Sequence, residues 1–319
     1  MKENDLTYER SLDAPILFLV FNRPSSTKKV FEEIKKAKPK RLYIAADGHR
    51  ESFVGEFEKT LEVRKIVSQI DWKCEFKTLF RDENLGCKKA VSEAIDWFFD
   101  QEESGIILED DCLPSQSFFW FCQDMLEKYK FDNRVGQISG TNILESFDTE
   151  SSYFFSNFGG IWGWATWKRA WNFYDVNMRD WSKISNEKYN LRKIIGSYID
   201  YKIRYRNFQL TYEGHIDTWD YQWIFARLMN RMLIIIPRVN LVTNIGFSKD
   251  ATHTNSENSR TSELKRFDID RNYIHPQGIF PRYDFEKKVR SKKRGAFGCS
   301  LSYCLPRILR KIFFWRKNG

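Results

Sequence analysis

Residues 105–112 read Gly-Ile-Ile-Leu-Glu-Asp-Asp-Cys, an apolar run of strand length that stops in three consecutive carboxylates. Core packing does not ask for such an ending. Three acids at the end of a buried strand repel one another unless a positive charge sits among them. Side-chain alternation along a strand predicts Glu109 and Asp111 on one side and Asp110 on the other. Carboxylates with open coordination positions suit a hard divalent cation, Mg²⁺ or Mn²⁺, which keeps waters and takes further ligands from substrate phosphates. The plainer alternative is an acidic loop or helix start, with Asp111 favoured by the dipole of the following helix.

The surrounding pattern sets this strand in an α/β sheet. Pro15 to Phe21 (PILFLVF) is a continuous apolar run and reads as a buried parallel strand, broken by Asn22-Arg23-Pro24-Ser25-Ser26. Val30, Phe31 and Ile34 then follow helical spacing, with Ser25 or Ser26 as the cap. Arg41 to Ala46 is a second strand that ends in Asp47-Gly48. Strand, helix and strand with short links open a doubly wound sheet, whose ligands bind beyond the carboxyl ends of the strands. Asn22, Arg23 and Asp47 are ligand candidates on position, and Asp47 also fits a plain turn before glycine.

A helix over about 57–69, a strand over 74–80 and an amphipathic helix over 88–99 lead to the acidic strand. Arg81 and Lys88 stand at the strand-end side, where cations meet a diphosphate, although a solvated ion-paired face explains both equally simply. A further helix follows Pro114, and a short strand covers Val135 to Ser139. The segment Tyr153 to Trp171 is rich in aromatics and glycine. Its Trp162 and Trp164 read either as a platform for a sugar or acceptor or as packed core. A polar helical stretch over about 186–208 precedes Asp217 and Asp220, which bracket the start of a helix over 221–230. Each acid is either a helix cap or a general base near the pocket. A strand over 232–236 and a polar loop over 248–262 with His253 complete the body.

The chain of 319 residues is 16% aromatic, with a net charge of +9. That charge belongs to one end. From Glu286 to Gly319 there are eleven Lys/Arg against one acid, so the first 285 residues sum to −1. A near-neutral body disfavours nucleic acid as a partner. Leu305 to Lys317 interleaves apolar and basic residues in the manner of an amphipathic helix on an anionic membrane, or one docked on a partner. The six cysteines include no CxxC pair, which leaves free thiols in a reducing cytoplasm as the default. Residues 1–13 lack the pattern of a secretory signal, and no apolar run approaches the roughly 20 residues that span a bilayer. The expected organisation is a polar lead over 1–12, one domain over 13–285 with halves meeting near 140, and a basic tail over 286–319.

In their order, these motifs resemble nucleotide-diphospho-sugar transferases of the GT-A fold, most closely the branch containing N-acetylglucosaminyltransferase I. The resemblance covers about residues 13–255. It implies a Rossmann-like, mostly parallel sheet flanked by helices, with the PILFLVFNRP strand leading to the nucleotide pocket. It implies that Asp47 recognises uracil and that Glu109, Asp110 and Asp111 form the metal and sugar-nucleotide motif, Asp111 binding Mn²⁺. GGIWGWATW falls on the acceptor side, and Thr218-Trp219-Asp220 carries the catalytic base. Asn244 to Phe247, followed by Asp250 and His253, matches a stretch of similar bacterial transferases, and this loop is expected to fold over the donor. His253 joins Asp111 as a candidate metal ligand. The second adjacent acid of the family's base region is missing, which keeps Asp217 as a rival base.

The implied activity is inverting, Mn²⁺- or Mg²⁺-dependent transfer from a UDP-sugar to a glycan or lipid-linked acceptor in cell-surface polysaccharide synthesis. The implied location is the inner face of the cytoplasmic membrane. Two other classes stay open. A sugar-phosphate nucleotidyltransferase should carry a Gly-rich phosphate loop where Asn22 to Ser26 stand. A non-catalytic membrane-associated scaffold explains the tail but not the three acids.

Overall fold

The computed structural model describes residues 12–246 and 264–296. The chain runs β1 (Ile16–Val20), α1 (Pro24–Ala37), β2 (Arg41–Ala46), α2 (Glu56–Val67), β3 (Glu75–Phe80), α3 (Gly86–Phe99) and β4 (Ser104–Glu109). It continues through β5 (Cys112–Pro114), α4 (Gln116–Lys128), β6 (Val135–Ser139), β7 (Tyr153–Ser156), β8 (Trp164–Trp167) and α5 (Lys168–Trp171). The remaining elements are α6 (Trp181–Ile184), α7 (Lys188–Ile195), α8 (Tyr198–Tyr212), α9 (Asp220–Met229), β9 (Leu233–Pro237), β10 (Val242–Asn244) and α10 (Tyr283–Ala296).

Eight strands form one mixed, mostly parallel sheet in the order β3-β2-β1-β4-β8-β6-β9-β7. The first four are parallel, β8 runs antiparallel between β4 and β6, and β7 runs antiparallel to β9. The apolar run of β1 is buried on both faces. Ile16, Phe18 and Val20 pack towards α1 and α4, and Leu17 and Leu19 towards α3 and α9. Helix α1 starts with Pro24 at its first position, where a missing N–H costs nothing. It ends at Lys38 in the left-handed conformation, whose N–H closes on the Ile34 carbonyl.

Three expectations need correction. The aromatic segment holds two strands, β7 and β8, each four residues long and buried throughout. The helical stretch expected over 186–208 is split into α7 and α8 at Gly196, whose φ of 82° suits glycine. The tail boundary at 286 falls inside α10, where Phe285 and Val289 pack with Phe147 and Phe154. Glu286 there accepts hydrogen bonds from Ser156 and Asn157. The amphipathic segment after residue 300 lies outside the described residues.

Candidate functional site

A cleft of about 270 Å³ opens where β1, β2 and β4 end. Parallel strands send their carboxyl ends the same way, so the loops after them meet. Asn22, Arg23, Asp47, Arg81, Glu109, Asp110 and Asp217 all line it, and they come from distant parts of the sequence. Lys88, Asp111 and Asp220 are not among the lining side chains.

One wall is built on Asp47. Helix α3 begins without a side-chain cap of its own. The Asp47 carboxylate takes that place from β2, accepting from the backbone N–H of Leu85 at 3.1 Å and of Gly86 at 3.2 Å. The Asn84 amide donates to it at 3.0 Å. Burial pushes its pKa up, while these N–H donors work against the rise. Gly48 packs against the backbone of Asp82 and Glu83, where a side chain would collide. Asp47 is therefore both a turn residue and part of the wall.

The opposite wall carries the acids. The chain leaves the sheet at Glu109, turns through Asp110 and Asp111, and re-enters a strand at β5. Strand alternation stops at that turn, so the expected split fails. Asp110 and Asp111 share one guanidinium, with Arg23 Nη1 donating at 3.2 Å and 2.8 Å respectively. The backbone N–H of Phe21 also donates to Asp110, at 3.3 Å. Asp111 does not stand in the first turn of α4, which starts five residues later at Gln116, so the helix-dipole alternative does not hold. Burial, then Asp111 and Asp110, push Glu109 up to about 8. Burial and Asp111 push Asp110 up to about 7 against the pull of Arg23. One guanidinium is too little positive charge for three crowded acids.

The segment 244–246 backs this turn. Ile245 N–H donates to the Asp111 carbonyl at 2.8 Å, and the Asn244 amide reaches Asp111 Oδ1 at 3.4 Å. Asp250 and His253 lie outside the described residues. Among the described residues, no three His, Cys, Asp or Glu side chains converge to hold a metal by themselves. The donor set still fits a hard divalent cation. Asp111, with Glu109 beside it, offers the few carboxylates such an ion takes when a diphosphate completes its shell.

Asp217 borders the cleft, and Asp220 lies behind it. Cys87, which lines the cleft with Glu109, Asp217 and Asp47, is pushed up to about 12 by burial and then by the charges of Glu109, Asp217, Asp220 and Asp47. Asp217 is exposed and hangs over Gly86. Asp220 stands behind, its Oδ1 accepting from the Thr218 hydroxyl, and burial raises its pKa. Arg81 is held to α3 by the Ala90 carbonyl at 3.1 Å and Glu93 at 3.3 Å.

Trp164 is no platform. It is 0% exposed and stacks on Trp219 at 5.6 Å within a cluster that includes Trp171 and Trp223. Trp162 is partly buried against the main core.

Sequence reasoning missed Arg50. Its guanidinium lines the cleft, lies 3.8 Å from the Phe53 ring centroid, and pairs with Glu56 at 2.6 Å. Glu56 also takes the Asn22 amide at 2.7 Å. Burial works to raise Glu56, but Arg50 and Asn22 hold it below its ordinary value. No spacing rule joins residues 22, 50 and 56, so only the fold brings them together.

No protein-family model and no curated protein matches the chain. Among solved structures it is similar to a UDP-glucose pyrophosphorylase complexed with UDP-glucose, at 13% identity and a TM-score of 0.26. The match covers 45% of this chain and 62% of that one, less than two thirds of the enzyme's length.

Proposed function

We propose that the chain is a divalent-metal-dependent, inverting glycosyltransferase of the GT-A type, with a UDP-sugar donor and a glycan or lipid-linked acceptor. The observation that carries the reading is the acid-rich turn after β4, under-neutralised by Arg23 and facing Asp47 and Asn84 across one cleft. A nucleotide base is assigned to the Asp47 wall and the diphosphate to the acid turn. A divalent ion held by Asp111, with Glu109 beside it, would supply Lewis-acid stabilisation of the departing diphosphate. Arg81 faces the same leaving charge.

In the transfer, the acceptor hydroxyl oxygen bonds to the anomeric carbon as the bond to the diphosphate oxygen breaks. The hydroxyl proton passes to a carboxylate. Asp220 is our assignment, because its raised proton affinity suits a base and Asp217 is the more exposed of the two. Trp162 remains on the acceptor side. Helix α1 follows Asn22-Arg23 directly, without the glycine-rich loop of a nucleotidyl transferase.

The deciding experiment is UDP release from a panel of UDP-sugars with Mn²⁺, Mg²⁺ or EDTA, on the unaltered protein and on Asp111→Ala. Metal-dependent hydrolysis of one donor, lower by about 10³-fold or more in the variant, is expected. Equal activity in Asp111→Ala removes the metal assignment. Metal-independent binding of every nucleotide sugar without turnover leaves a scaffold.

A further inference from the structure

Helix α8 carries a guanidinium that no acid holds. Arg204 falls in the row of Tyr201 and Phe208, which pack into a small core with Trp181 and Phe225. It is partly buried there, 4.6 Å from the ring centroid of Phe158, which packs against the same core. Among the described residues it makes no hydrogen bond and no ion pair. The acids around it are engaged elsewhere. Asp200, one turn earlier on α8, is turned to Arg290 of α10 at 3.4 Å. Glu286 meets Arg290 at 3.8 Å and accepts from the Ser156 hydroxyl at 3.1 Å and the Asn157 N–H at 2.8 Å. A second guanidinium, that of the buried Arg227 on α9, has no partner for its Nε and reaches the Met232 carbonyl at 3.4 Å. The charge that acts on it is that of Arg204, of like sign. A guanidinium pinned on a ring, with its N–H donors free, offers a rigid fork to a carboxylate or phosphate.

The fold sets this fork on the rim that carries the acid turn. Strands β4 and β6 both run antiparallel to β8 between them, so their carboxyl ends point the same way. At the end of β6, the Gln137 amide and the Ser139 hydroxyl donate to the Gly160 carbonyl at 2.7 and 3.0 Å, two residues beyond Phe158. A Cβ at Gly163 would meet Leu108 at 3.3 Å, beside Glu109. From the helical side, Asn207 of α8 donates to the Tyr221 hydroxyl at 3.1 Å and ties α8 to the start of α9, next to Asp220.

We propose that Arg204 forms an oxyanion site, which takes a carboxylate or phosphate carried by the acceptor. The site itself rests on the unpaired fork. Its assignment to the acceptor rests on the transferase reading, in which Asp220 takes the proton of the acceptor hydroxyl.

The first test reads no turnover. Isothermal titration of the full chain with glucuronate, glycerol 1-phosphate and glucose should give binding for an anion and none for the neutral sugar, and the two anions separate a carboxylate from a phosphate source. Arg204→Gln should weaken anion binding about tenfold or more, as for a lost hydrogen-bonded charge pair. Arg204→Lys keeps the charge without the fork and should restore part of that loss. Removing Arg204 leaves no protein acceptor unpaired, so circular dichroism and melting should stay unchanged. Lys202→Gln, an exposed cation on the same helix, should bind as the unaltered protein does. The proposal is overturned by absence of anion binding, by equal binding of glucose, by binding that Arg204→Gln does not move, or by an equal loss in Lys202→Gln. Once UDP release has identified a donor, Arg204→Gln should raise the KM of an anionic acceptor about tenfold relative to its neutral counterpart. An unchanged ratio detaches the site from the acceptor. Anion binding that depends on Arg204, in a protein that releases UDP from no donor, keeps the site and removes the transferase reading instead.

Discussion

The two halves of the central sheet use their polar and aromatic residues differently. In the parallel half, β3-β2-β1-β4, the strand ends release Arg81, Asp47, Arg23 and Asp110 into one cleft. In the mixed half, β8-β6-β9-β7, the strands change direction. The tryptophans there close on one another instead, Trp164 against Trp219, Trp171 and Trp223. Residue type alone does not separate the two. The direction of neighbouring strands does, because parallel ends must converge and antiparallel ends need not.

Asp220→Asn tests that comparison most severely, since α9 belongs to the tryptophan side yet brings an acid towards Glu109. Activity towards acceptor should fall about 10³-fold, while Asp217→Asn should stay within about tenfold. The opposite order in kcat/KM transfers the base role to Asp217. Next in size, Trp164→Ala should lose about 3–5 kcal/mol in urea unfolding, and Trp162→Ala much less. An unchanged unfolding midpoint for Trp164→Ala, with only acceptor KM altered, breaks the picture of a sealed mixed half.

The smallest expected effect concerns pH. Glu109 and Asp110 are raised in the folded state, to about 8 and about 7. A raised acid binds more protons folded than unfolded, so its contribution is complete below the ordinary carboxylate range and is lost as pH rises through the raised value. In EDTA, Tm should therefore drop by a few degrees between pH 5 and 8.5, and Glu109→Gln should flatten that slope. A slope identical in the variant means that the acid turn is fully compensated without a metal.

Much of the parallel half was legible in the sequence. Strands β1, β2 and β4 each carry an apolar run, and the acids that end β4 are conspicuous because nothing else in a core ends that way. Strands β7 and β8 were not legible, because four residues buried on both faces show no alternation to separate them from any aromatic run. Whether a Trp faces a ligand or the core depends on what packs over it, and for Trp164 that is Trp219, far along the chain. The pairing of Asp110 with Asp111 on Arg23 depended on where β4 stops, and a strand boundary is set by partners more than by local pattern.

Gly246 gives the acid turn a further meaning. A Cβ there would run into the Asp111 carboxylate and come within 2.8 Å of Asp111 Cβ. Strand β10 also pairs Asn244 with Cys112, the residue next to Asp111. Positions 111 and 246 are thus sterically coupled. A lineage that enlarges residue 246 must shorten or relinquish the carboxylate at 111. Variation at the two sites is therefore expected to be linked across related chains, although 135 residues separate them.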